Sequence, residues 1–292
     1  MTLAQLIPLA ISFSMAGLLL AIALETSFTD LVYLLRRPSL LLRSVLAMNV
    51  IMPLFAIALA LVFLQELERA VVVSLVAMSL GPVPPILPGK GLKAGGPRSY
   101  TMGLVFLSAA LSIVLVPAMV ALLGYALHKP VRISTATIAG IVGTWMLLPL
   151  LLGAALRHVA PSFAQRAARP LTIASNLLLL LACIPVVVQA GPKMLELVGN
   201  FTVVAVIVFT LAGLGIGHML GGPDPDERTV LALSTCTRHP AVAIAVLHAE
   251  PDRPSILAAL LLILIVGSIV SAPYMKWRAA QQADALRASK HA

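Results

Sequence analysis

The chain has 292 residues, 60% of them hydrophobic and only 11% charged, with a mean hydropathy of +1.03. A soluble domain of this size carries about twice that charged fraction, so the sequence reads as an all-α integral membrane protein. The formal net charge of +9 reflects the cytoplasmic bias of membrane loops, because the basic residues gather at the ends of apolar runs, and nucleic acid is not an expected partner. Cys183 and Cys236 both lie in apolar stretches, which excludes a disulfide framework and a soft-metal cluster.

The first apolar run, Leu3 to Leu24, has no basic residue before it and no clear cleavage site, so it is read as a retained span. A short amphipathic link, Phe28 to Leu35, leads through Arg36-Arg37-Pro38 to a second span, Ser39 to Leu64, with Asn49 and Met52-Pro53 inside it. Pro38 suits a first helical turn, and Pro53 reads as a simple kink. The third segment starts near Glu68. Its apolar part, Ala70 to Leu80, is too short to cross a bilayer and runs into Gly81-Pro82-Val83-Pro84-Pro85-Ile86-Leu87-Pro88-Gly89. Four prolines in seven residues cannot continue a regular helix. A crossing here is a broken helix whose unwound centre must be buried in protein or face water.

Further spans are expected at Ser99 to Leu127, Ser134 to Leu156, Leu171 to Ala190 and Phe201 to Leu220, with a polar loop carrying Arg157, Arg166 and Arg169 between the fifth and sixth. The eighth, Glu227 to Ala249, contains Ser234-Thr235-Cys236-Thr237-Arg238-His239-Pro240. The apolar run beyond Pro240 is too short to cross alone, so Arg238 and His239 must lie inside the span. A charge at that depth costs a few kcal/mol or more and usually lines an internal cavity or pathway. The ninth span runs from Ile256 to Trp277, and 278–292 is a polar tail, helical at its start.

About nine crossings put Lys and Arg on alternate sides in a ratio of 14 to 5, Arg238 apart, with Lys129 and Arg132 among the five. The N-terminus is then outside and the C-terminus cytoplasmic, in the cell membrane. The two interrupted spans occupy matching positions in two halves, 1–127 with spans one to four and 128–277 with spans five to nine, the first half lacking one helix. That is the pattern of an inverted-repeat transporter whose site lies where the breaks cross.

Four stretches carry a resemblance: Met15-Ala16-Gly17-Leu18; Arg37-Pro38 followed by Val50-Ile51-Met52-Pro53; Leu92-Lys93-Ala94-Gly95-Gly96; and Pro240-Ala241-Val242-Ala243-Ile244-Ala245. Together they resemble the bile acid:sodium symporter family of organic-anion carriers. The resemblance implies a core domain with two crossed broken helices, a panel domain, two sodium ions behind the crossing and an organic anion in the cleft beside it. Where that family has Ser-Asn in its first break, this chain has Pro84-Pro85-Ile86-Leu87; where it has Glu and then Gln-Asn in its second, this chain has Ser234 and then Arg238-His239. Asn49 falls one position from a sodium ligand of the family. Every Asp and Glu lies in a loop, at a span end or in the tail.

The expectation is therefore that the usual sodium ligands are lost and that no cofactor or metal is bound. Arg238 stands in for the missing cation, held by the carbonyl ends of half-helices. His239, as a side chain whose unperturbed pKa is about 6.5, is the other titratable group there and offers a proton route in place of sodium. Candidate substrate-binding residues are Arg238, His239, Thr235, Thr237, Ser234, Asn49, Ser108, Ser112 and Lys90, with Lys93 beside the cytoplasmic mouth. Each has a plainer reading: Arg238 as a structural plug on a backbone carbonyl, His239 as a satisfied structural histidine, Lys90 and Lys93 as topogenic charges, and the hydroxyls as bonds to their own helices. The expected partners are a small organic anion and the lipid bilayer, with no obligate protein partner. The sequence lacks HExxH, Gly-x-Ser-x-Gly and paired midspan aspartates, so a secondary carrier is expected over an intramembrane enzyme; a channel or a non-transporting sensor on a transporter scaffold is the alternative.

Overall fold

The computed structural model describes residues 3–63, 65–126, 134–199, 201–247 and 252–291, and every regular element among them is helical. In chain order these are α1 (Leu3–Ala23), α2 (Phe28–Leu31), a 3₁₀ turn (Tyr33–Arg36), α3 (Pro38–Val45), a π segment (Leu46–Ile51) and α4 (Met52–Val62). Next come α5 (Arg69–Leu80), α6 (Leu87–Lys93), α7 (Arg98–Ala126), α8 (Thr135–Val142), a second π segment (Gly143–Leu147) and α9 (Leu148–Val159). The chain then forms α10 (Pro161–Val198), α11 (Thr202–Leu220), α12 (Pro225–Cys236), α13 (Pro240–Val246) and α14 (Arg253–His291). Seven helical stretches are long and apolar enough to cross a membrane. The pairs α5–α6 and α12–α13 are interrupted, as the prolines and the polar run require. The boundary between halves at 127/128 and the basic residues Lys129 and Arg132 lie outside the described residues.

Two polar stretches turn out helical. The expected loop between the fifth and sixth spans shrinks to Ala160, and Arg166 and Arg169 sit in the first turns of α10. That helix has 38 residues, about 57 Å, well beyond the roughly 30 Å of hydrocarbon. Likewise α14 continues past Trp277 to His291. Both stretches are rich in Ala, Gln and Arg, which favour helix whatever the solvent. Their polarity marks where the chain leaves the hydrocarbon, not where the helix stops.

α1, α9 and α10 pack on one another; α4, α5, α11, α13 and α14 form a second group, with α12 laid along α11. The stripe Gly213, Gly217 and Gly221 lets α11 and α12 touch backbone to backbone: a Cβ at Gly217 would lie 2.5 Å from Ala232 Cα. The N-terminus of α12 is anchored by Glu227, 5% exposed, which accepts from Arg37 Nη1 at 2.7 Å and from the Tyr33 hydroxyl at 2.8 Å. The same end is braced by α14, where buried Arg278 donates to Thr229 Oγ1 and Pro225 O, both at 2.7 Å. Gln282, one turn on, donates to Gly95 O at 2.7 Å, so α14 ties together the polar ends of both interrupted segments.

Candidate functional site

The two interruptions meet. His239 N–H donates to Pro82 O at 2.9 Å, and a Cβ on Gly81 would lie 2.9 Å from His239 O, so only glycine allows that approach. α5 packs on α13 and α6 on α12, which makes the two segments antiparallel across the contact. The contact also falls between two apolar clusters, one containing Leu80, Val83 and Leu231 to Leu233, the other Met78, Ala243 and Leu247.

An unwound backbone away from water needs partners for its polar groups, and the proline-rich composition reduces how many. Of 81–86, Pro82, Pro84 and Pro85 have no N–H to satisfy. Gly81 N–H bonds Met78 O, Val83 N–H bonds Ser108 Oγ at 3.2 Å, Pro84 O accepts from Leu87 N–H, and Pro82 O accepts from His239. Ser108 is thus a positioning residue for the first break. Replacing it by Ala leaves Val83 N–H buried and unpaired, a cost of about 1–3 kcal/mol. The expected outcome is a lower melting temperature in detergent, with Ser112→Ala as a milder control; equal melting of both variants would refute this assignment.

Arg238 closes the account. It is 1% exposed, donates from Nη1 to Gly81 O at 3.2 Å and from Nη2 to Met48 O, while its Nε lies buried without a partner. Gly81 O sits at the carbonyl end of α5, where the half-helix dipole is negative. The origin of the second acceptor lies in the π segment. Met52 N–H bonds Ala47 O rather than Met48 O, and the next residue is Pro53, which has no N–H. Met48 O is therefore released from its own helix and faces the guanidinium. Pro53, read from the sequence as a simple kink, instead frees a ligand.

A cavity of about 350 Å³ lies on the other side of the contact, lined by Ser12, Met15, Trp145, Val186, His239 and Leu257, among others. Its walls come from α1, α8, the second π segment, α10, α13 and α14, and its size and mainly apolar lining are those of a small-molecule site. His239 enters it; Arg238 does not line it. Arg238 and Thr237 instead line a separate small cavity with Cys236 and Ser268.

The other sequence candidates divide. Ser234, Thr235 and Ser112 each donate to a carbonyl of their own helix, at 2.7 Å, and line neither cavity. Asn49 is half-buried beside Met48 in the π segment. Lys90 reaches from α6 to Ser268 Oγ on α14, at 3.2 Å, and Lys93 is exposed. Met48, Gly81, Ser12 and Trp145 were not legible as site residues: two act through backbone carbonyls, and the others look like ordinary span residues. No group of three or more His, Cys, Asp or Glu that would hold a metal occurs among the described residues.

These features define an all-α, multi-pass membrane protein built around two interrupted helices and a buried cation. The model of the sodium bile acid symporter family matches residues 8–197, well over half of the chain. The chain belongs to that family, and its class is that of membrane transporters. The matched stretch contains the first break and ends before α11, so the Arg238 break lies beyond it. Comparison with curated proteins finds no match.

Proposed function

We propose that this chain is a secondary carrier that moves a small organic anion by alternating access, with the Arg238 guanidinium supplying the charge that a bound sodium ion would otherwise bring. The observation that carries this reading is the carbonyl cradle of Gly81 and Met48 around a fully buried guanidinium at the contact of the two breaks. Seven long spans and two interrupted pairs make nine crossings, and the antiparallel contact of the pairs supports inverted repeats in 1–127 and 128–277. α1, α9 and α10 then form the panel, the remaining spans the core, and the 350 Å³ cavity the substrate cleft between them. Arg238 acts through its field, one residue from the cleft, while His239 supplies the polar contact. The N-terminus is outside and the polar extension of α14 cytoplasmic. This is transport rather than enzymatic chemistry.

The test is uptake of labelled organic anions into liposomes with all sodium replaced by choline at fixed pH. Uptake is expected to persist undiminished. Strict sodium dependence overturns the built-in-cation reading, and absence of uptake for every anion favours the non-transporting sensor.

A further inference from the structure

Arg238 is buried and Lys90 half-buried, and among the described residues neither has a carboxylate partner. Arg238 contacts carbonyls, and the buried Nε–H has no partner at all. Lys90 contacts a hydroxyl, that of Ser268. Acidic groups among the described residues are engaged elsewhere: Glu227 with Arg37, Glu25 with Arg98 and Asp226 with Arg278. Charges at membrane depth are usually paired, because an unpaired ion away from water is costly.

Beside Arg238 is a cavity of about 10 Å³, lined by Arg238, Thr237, Cys236, Gly267 and Ser268 and by the apolar Met78, Phe209, Ile263 and Leu264. It is separate from the cleft that His239 enters, and it is far too small for an organic anion. A space of this size holds about one small sphere. Its polar lining is formed by two hydroxyls and a guanidinium that lacks a partner at Nε, and the Lys90 ammonium, outside the lining, bonds one of those hydroxyls.

We propose that this cavity behind the contact of the breaks is a chloride site, with Arg238, Thr237 and Ser268 as donors and Lys90 as the second charge. Two fixed cations less one chloride leave the crossing with a net single positive charge, the sign an organic anion in the cleft requires. The site is an equilibrium property of the core and stands or falls apart from the transport reading.

The test is thermal unfolding of the purified, detergent-solubilised full chain in choline chloride against choline gluconate at equal ionic strength, with no sodium present. Chloride, and bromide after it, is expected to raise the melting temperature saturably by roughly 3 °C, since a ligand that binds only the folded state stabilises it. The rise should be lost in Lys90→Gln and in Thr237→Val. Equal melting in chloride and gluconate would mean that water fills the gap and would overturn the proposal. A rise kept in both variants would place the halide elsewhere and overturn it too. Should either variant not fold, anomalous scattering from bromide-soaked crystals of the unaltered chain decides by the presence or absence of a peak between Arg238 and Ser268.

Discussion

Replacing Arg238 by Ala is expected to lower organic-anion uptake by roughly 100-fold, the equivalent of a little under 3 kcal/mol in the barrier. A unit charge about 8 Å from a bound monoanion, at an effective dielectric constant near 20, contributes about 2 kcal/mol of attraction. Truncation also empties the cradle, leaving Gly81 O and Met48 O without their donor. Each buried orphan costs about 1–3 kcal/mol, so the Ala variant should melt lower as well. Arg238→Gln separates the two contributions, because it keeps a donor near the carbonyls and removes the charge. It should retain more stability than the Ala variant and transport as poorly. Wild-type uptake by Arg238→Gln would make Arg238 a structural plug and remove its electrostatic role.

Gly217→Ala is the second large effect, and it acts on folding. The added methyl would sit 2.5 Å from both Ala232 Cα and Leu231 O, which are backbone and cannot rotate away. α12 must move off α11, at a cost of about 1–3 kcal/mol or more for overpacking, and the Arg238 break moves with it. The expected result is poor yield of folded protein and a melting temperature lowered by several degrees. Gly215, two residues along the same helix, has nothing within 4 Å of an added Cβ. Gly215→Ala should leave stability unchanged or raise it, since Ala suits a helix interior better than Gly by about 1 kcal/mol. If both variants melt alike, close packing of α11 on α12 is not what the stripe provides.

Much of the architecture was legible because hydrocarbon solvent imposes a simple rule: a stretch of apolar residues of sufficient length crosses, and a shorter one does not. The limits of α5 and α11 therefore fall within a residue or so of where hydropathy places them, and the prolines of 82–88 announce the first break. Polarity misled where it was taken for loss of helix, at Arg166 and Arg169, whereas the tail after Trp277, expected to be helical at its start, stays helical to His291. Gly213, Gly217 and Gly221 form a visible small-residue stripe, yet only the neighbouring helix reveals which glycines are indispensable and that Gly215 is not.

The sequence by itself determined that this is a multi-pass membrane protein, that two of its segments are interrupted, and that a cation must lie inside the second, because each follows from chain length, proline chemistry and the cost of charge in lipid. Only the tertiary structure decided what those interruptions do. Arg238 turned toward two backbone carbonyls and away from the apolar cleft, while the adjacent His239 turned into the cleft. The carbonyl of Met48 became available through a π segment that Pro53 cannot repair. Ligands of this kind are main-chain atoms, common to every residue, so no pattern of side chains could have marked them in advance.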